Sequence, residues 1–300
     1  MLTERSLVMR SQPIKDFARS LHLDACGIAP IPLDGRVDTN AICPLASGQG
    51  PERFEPDRLL PECRSIIVIL FPYYTADDPD SNLSMYCRCT DYHLIVPAYL
   101  DRIAAFLQNT YPGCSSRCVV DTSPLSDRWL AYKAGLGFFG DNGCFINKKY
   151  GSYCFIGSIL TTLPFDPDEP ITDHCLHCGA CAAACPGHCL ENGTYSYEYC
   201  KSYLTQKKGD LTPQEIAVIK KTPLVFGCDE CQRVCPHNNG IATTPLPEFR
   251  QHRLTRIIPD DIESLTNKEF RQTYGNRAFS WRGKKILLRN ISYTTAIKDT

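Results

Sequence analysis

In its 300 residues the chain has no run of about 18 uninterrupted apolar residues, the length a helix needs to cross a bilayer. Its start, Met1-Leu-Thr-Glu-Arg-Ser-Leu-Val-Met-Arg10, holds no apolar core of signal-peptide length. Net charge is almost absent, at -1, so no global field for a polyanion is implied. There is no internal repeat beyond the cysteine runs described below, and no G-x-G-x-x-G turn after a strand. These absences set aside membrane-spanning, secreted and uniformly basic proteins. The expectation is a cytoplasmic globular chain with no membrane partner, long enough for two domains or for one large and one small.

Cysteine, by contrast, is plentiful, with 18 residues. A disulfide-stapled scaffold does not suit a chain this long. Cys175-Leu-His-Cys178-Gly-Ala-Cys181-Ala-Ala-Ala-Cys185-Pro186 is the C-x2-C-x2-C-x3-C-P run of bacterial two-cluster ferredoxins. Cys228-Asp-Glu-Cys231-Gln-Arg-Val-Cys235-Pro236 is a shorter run of the same kind, with Cys200 between them. In such runs the last cysteine ligates the other cluster. Cys175, Cys178, Cys181 and Cys235 are therefore assigned to one [4Fe–4S] cluster, and Cys185, Cys200, Cys228 and Cys231 to a second. Structural zinc is the competing reading of C-x2-C spacing, but zinc sites favour pairs of pairs. Of the ten other cysteines, read as small buried hydrophobes, Cys189 lies beyond the proline that closes its run and is left out of the ligand set. Two linked clusters form an electron wire, which implies one-electron chemistry elsewhere in the chain.

The pattern up to about residue 165 alternates helices and strands and predicts an α/β sandwich. Helices are expected over Ile14–Leu21, Asp91–Asn109 and Ser126–Gly135, the last stopped by a left-handed glycine. Strands are expected over Ala25–Ala29, Ser65–Pro72, Arg117–Asp121 and Ser152–Thr161; the second is apolar throughout, as in a strand buried on both faces. Pro164–Pro170 reads as a linker. The expected domains are 1–165, 166–245 for the ferredoxin-like module, and 246–300, a helical segment. That segment carries eleven Lys/Arg against six acids and contains helices Asp260–Tyr274 and Lys284–Tyr293.

Three features outside the cysteines bear on chemistry. Asp121 ends an apolar strand in Val-Val-Asp-Thr-Ser-Pro, where α/β proteins place catalytic acids but where a turn or cap acid is the commoner role. Gly135-Leu-Gly-Phe-Phe-Gly-Asp-Asn-Gly143 suits close approach to a planar cofactor, or simply a glycine-rich turn. Tyr86, Asp91, Tyr92 and His93 form a polar–aromatic group opening a helix, for which a local cap is the simpler reading.

Phe54–Pro61, Asp91-Tyr-His93, Val120–Pro124, Ala134–Gly140, Gly151–Gly157, the cysteine run, Cys200–Thr205 and Gly227–Gln232 occur in the order seen in epoxyqueuosine reductases. The resemblance covers roughly residues 12–293. It implies a cobalamin-dependent iron–sulfur oxidoreductase related to reductive dehalogenases. Such an enzyme completes queuosine biosynthesis by reducing an epoxide on a tRNA nucleoside to an alkene. Carried over residue by residue, Asp121 matches the family's proton-donating acid and Arg53 a cobalamin-contacting arginine. Phe145 and Ile156 lie in the stretch 143–156 whose backbone lines the corrin, and Ser202 and Thr205 on a segment facing cofactor or substrate. Without an Asp-x-His-x-x-Gly segment, cobalamin is expected with its lower base detached. This sequence departs from the family's Gly-Lys-Asn at Gly140-Asp141-Asn142, and from its Asp-Pro at Glu55-Pro56. Family members usually continue into a helical-repeat domain that grips tRNA. A short form ending at Thr300 is expected to bind tRNA weakly, to act as a monomer and to take electrons from a flavodoxin- or ferredoxin-type donor. The residues also leave open an electron-transfer protein, or a cobalamin-dependent reductase of a small molecule.

Overall fold

The computed structural model describes residues 9–35, 42–190 and 195–295. Residues 1–8 of the N-terminal stretch and Lys298 and Asp299 of the basic segment lie outside these. Strands β1 (Cys26–Ala29), β2 (Ser65–Pro72), β3 (Ser116–Val119) and β6 (Cys154–Thr161) form one sheet in the order β1-β2-β6-β3, with every pairing antiparallel. The continuous apolar run of β2 has its cause here: all eight of its residues are buried. Ile67, Ile69 and Phe71 pack under α1 (Gln12–Ser20) and α2 (Tyr92–Thr110), while Ile66, Val68 and Leu70 pack under α3 (Asp127–Lys133). Helices thus cover both faces. Gly135 follows α3 at φ +69, a conformation that stops a helix without the strain a side chain would bring.

The glycine-rich stretch after α3 is a hairpin, β4 (Phe138–Phe139) paired with β5 (Phe145–Ile146). Its Phe138 and Ile146 pack against Cys235, so the hairpin is braced on the cysteine module. In that module α4 (Ala180–Ala184) lies against α7 (Glu230–Arg233), the two short helices that carry the cysteine runs. Between them come α5 (Lys201–Leu204) and α6 (Pro213–Lys220). Helix α6 opens with a capping box in which Thr212 and Glu215 satisfy each other's backbone N–H.

Polar struts seat the module on the sheet domain. Buried Asp229, next to Cys228, accepts from Ser84 Oγ (2.5 Å) and the Met85 amide (2.7 Å). Asn238 Oδ1 accepts from the Ser152 amide at 2.8 Å.

The last segment contributes α8 (Pro247–Arg250), α9 (Pro259–Ile262), α10 (Asn267–Tyr274) and α11 (Lys284–Thr295). The single helix expected over Asp260–Tyr274 is two. Thr266 starts a new helix by accepting from the Glu269 amide, and Glu269 accepts from the Thr266 amide at 2.7 Å. The segment is not a loose tail: Ile257, Ile262, Phe270, Phe279, Leu287 and Ile291 share a core with Leu83, Cys87, Val225 and Phe226. Asn290 Nδ2 donates to the carbonyls of Thr205 and Val225, both at 2.8 Å.

Candidate active site and cluster pockets

Asp121 stands on the turn two residues beyond β3, and α2 begins opposite it. Asp91 caps α2 by accepting from the His93 amide at 3.0 Å, so the capping role expected of this acid is present. The same oxygen lies 2.8 Å from His93 Nδ1, and His93 Nε2 lies 2.8 Å from Asp121 Oδ1. Tyr92 donates its hydroxyl to Asp121 Oδ2. Both imidazole nitrogens face carboxylate oxygens, and only the protonated ring can donate to both. The bonds to Asp121 and then Asp91 accordingly push the His93 pKa up to about 10. Burial, reinforced by Asp121, pushes the Tyr92 phenol far up, so it stays a donor. The Tyr92 ring stacks on Phe155 with centroids 4.1 Å apart.

Three adjoining cavities meet here. One of about 770 Å³ contains His93, Asp121, Phe155, Ser202, Tyr203 and Trp281 on its walls. A second, of about 470 Å³, runs from Arg53 and Phe139 to Cys185, Cys200, Cys228 and Cys231. The third, about 290 Å³, lies beside Arg53, Asp121, Asp127, Phe155 and Ile156. Ala46 and Arg128 border all three. Arg53 donates to the Gly48 carbonyl (2.9 Å) and Ser126 Oγ (3.1 Å), tying the loop before it to the start of α3. Asp127 Oδ1 and Ser123 Oγ are shielded from solvent without a hydrogen-bond partner. Burial, then the nearby Asp121, raises the Asp127 pKa to about 8.

The cysteines sort into two pockets. Cys175, Cys178, Cys181 and Cys235 line one, and Cys185, Cys200, Cys228 and Cys231 line the 470 Å³ cavity. Four thiols around each pocket are the donor set a cubane cluster takes. The hairpin separates the pockets, with Asn142 on the wall of both. Asp141, standing where a lysine was expected, pairs with His177 (2.9 Å) beside Cys175 instead of reaching the large cavities.

Of the residues singled out in the sequence, the structure brings Asp121, Arg53, Ile156 and Ser202 to the cavities. It does not bring Phe145 or Thr205. Phe145 is buried behind Phe139, edge to face at 6.3 Å, and Phe139 is the ring on the cavity wall. Thr205 is fully buried; its Oγ1 accepts from the Gly227 amide at 2.9 Å and steadies the loop entering Cys228. Sequence reasoning missed the His93–Asp121 pairing, because the capping signal at Asp91 accounted for the motif locally. It also missed Asp127, Phe139 and Trp281, which carry no local signature. Cys189, left out of the ligand set, lies against Cys185 and Cys200, with its amide 3.3 Å from Cys185 Sγ. Cys144 lies against Cys231.

A family model described as epoxyqueuosine reductase QueG, DUF1730, matches residues 53–122. A model described as a 4Fe-4S double cluster binding domain matches residues 174–238. The chain is 37% identical to an epoxyqueuosine reductase from Staphylococcus aureus over 93% of this chain and 78% of that one. It is 30% identical to one from Leadbetterella byssophila over 96% of this chain and 99% of that one. It spans 64% of the length of the Bacillus subtilis relative, which is 36% identical over 80% of this chain. A crystal structure of epoxyqueuosine reductase with a tRNA-Tyr epoxyqueuosine-modified stem loop superposes with a TM-score of 0.85. That match has 30% identity and covers 95% of this chain and 80% of that one.

Proposed function

From a chain that belongs to the epoxyqueuosine reductase family, we infer a reductase that converts the epoxide of epoxyqueuosine in tRNA to the alkene of queuosine. The observation that carries this reading is Asp121, held between Tyr92 and His93 on the wall of a cavity that adjoins the cysteine pocket. Removing the epoxide oxygen as water consumes two electrons and two protons. The departing oxygen needs a proton as its bond to carbon breaks.

The proton store is the His93–Asp121 pair. His93 carries a proton on Nε2, directed at Asp121 Oδ1, and Asp91 behind it fixes the ring. Substrate entering the cavity displaces water and favours a neutral pair, with the proton moved onto Asp121 and then to the leaving oxygen. Tyr92 steadies the other carboxylate oxygen. The second proton enters from solvent through the open mouth of the cavity.

Cys185, Cys200, Cys228 and Cys231 would hold the inner [4Fe–4S] cluster, facing the cavity. Cys175, Cys178, Cys181 and Cys235 would hold the outer one. Cys178 is exposed, and Leu176 (61% exposed) and Val234 (40%) give that side an apolar edge suited to docking an external flavodoxin- or ferredoxin-type donor. The joined cavities also suit cobalamin. They are large and bordered by the stacked Tyr92 and Phe155 rings, and Asp127 Oδ1 and Ser123 Oγ, on residues lining them, have no hydrogen-bond partner of their own. Bound there, cobalamin supplies a cobalt centre that stores the two electrons the clusters deliver singly. Arg53, Phe139, Ile156 and Ser202, on the cavity walls, are the side chains that would hold it.

The test is anaerobic incubation of cluster-loaded protein with reductant, cobalamin and tRNA bearing epoxyqueuosine, followed by nucleoside mass analysis. Queuosine is expected. Intact clusters and bound cobalamin without conversion would overturn the assignment of substrate.

A further inference from the structure

Trp281 is one of two tryptophans in the chain, and 56% of its surface is open. Its position is not accidental to the fold. It sits on the 3-10 turn Ala278–Arg282, whose Ala278 and Phe279 are anchored in the core shared by the cysteine module and the C-terminal helices. The indole therefore projects from a rigid base. One face is covered by the Arg282 guanidinium, 3.6 Å from the ring centroid. Trp281 also borders the 770 Å³ cavity whose far wall holds His93 and Asp121. Exposed Arg271, on α10 packed against this turn, and Lys285, four residues along the chain, make no ion pair with a carboxylate among the described residues.

A planar ring backed by a guanidinium, open on its other side and flanked by unneutralised cations, matches the chemistry of an unpaired nucleobase and its phosphates. An apolar protein partner would not call for the cations, and a free small molecule would not need a platform at the rim. Resting on the reading above, we propose that Trp281 stacks on an anticodon-loop base adjoining the nucleoside held in the cavity, with Arg271 and Lys285 facing the backbone. Trp281 is then a positioning residue: it orients the RNA so that the modified nucleoside reaches Asp121, and it takes no part in the proton transfer.

The probe is an anticodon stem–loop RNA bearing epoxyqueuosine, binding read by fluorescence anisotropy and conversion by nucleoside mass analysis. Loss of one base–aromatic stack corresponds to roughly a ten- to hundredfold weaker Kd, expected for Trp281→Ala. Turnover at saturating RNA should stay within about threefold of wild type, and Trp281→Phe should recover most of the affinity. The slope of log Kd against log salt should not change in Trp281→Ala, whereas Arg271→Ala with Lys285→Ala should flatten it by about one to two. Iron content and circular dichroism, together with the Phe variant, separate lost stacking from lost folding. If wild type binds and converts the RNA and Trp281→Ala binds it equally well, the stacking role is wrong while the proposed activity stands. If wild type neither binds nor converts it, the tRNA reading itself fails.

Discussion

Around Cys175, Cys178, Cys181 and Cys235 the protein leaves a tight pocket with one thiol in the open. Around Cys185, Cys200, Cys228 and Cys231 it opens about 470 Å³ that continues toward Asp121, and it surrounds the four with further thiols, Cys43, Cys144 and Cys189. Both pockets come from the same kind of cysteine run, so the run does not set the difference. The hairpin Phe138–Ile146 does. It presses Ile146 on the first pocket and turns Phe139 and Gly143 to the second. Ligand spacing dictates that a cluster can bind; the elements packed around it dictate what the cluster can reach. On the proposed function, one pocket would be a port for electrons and the other a terminus beside the chemistry.

The sharpest way to break this contrast is to empty each pocket in turn. Cys178→Ala and Cys228→Ala should each lower iron from about eight to about four per chain, read by iron and acid-labile sulfide analysis after anaerobic purification. With a protein donor both should lose nearly all turnover. A small chemical reductant, able to enter the large cavity, should restore turnover in Cys178→Ala and leave Cys228→Ala inactive. The same recovery in both variants would mean that the pockets do not differ in access to the site.

Next in size is Asp121→Asn. It should keep both clusters and cobalamin binding while turnover falls about 10^2- to 10^4-fold, the usual contribution of a positioned acid. Loss of cofactor would instead make Asp121 a structural turn residue.

A smaller effect follows from His93. Its pKa is raised to about 10 in the folded protein by Asp121 and Asp91, against an ordinary value of 6.5. The folded state holds this proton more tightly, so the stability it confers is complete below about pH 6.5 and fades as pH rises through about 10. Thermal melts of wild type should lose more across that window than those of His93→Gln, modestly so because the ring is partly exposed. Turnover limited by the same proton should also decline toward pH 10. Identical slopes for the two proteins would show that the ring is not held protonated.

The smallest effect is expected of Cys189→Ala. If four thiols ligate the inner cluster and Cys189 only touches two of them, iron content and EPR intensity remain those of wild type. A drop to about four irons would put Cys189 in the ligand set.

The sequence made the cysteine runs legible because ligand geometry leaves its mark as fixed spacing. Strand Ser65–Pro72 was legible because burial on both faces leaves no polar positions. The cluster around Asp121 was only half legible. Asp121 and His93 are separated by 27 intervening residues in the chain. What joins them is the packing of α2 against β3, a tertiary fact that no local pattern records. Phe145 and Thr205 show the converse: neighbours in sequence to lining residues, they were turned into the core by strand alternation and by a hydrogen bond to Gly227. The split of residues 260–274 turned on one capping threonine inside a stretch whose apolar spacing was otherwise continuous.

Asn290 joins the carbonyls of Thr205 and Val225, five residues after Cys200 and three before Cys228. A residue far along the chain thus braces the two ligand loops of the inner pocket. During synthesis, a ribosome that has released all eight ligand cysteines has not yet released this brace. The outer pocket draws on Cys175 to Cys235 and on a hairpin made earlier, so its parts are complete sooner. The inner pocket therefore takes its final form only when α11 has docked.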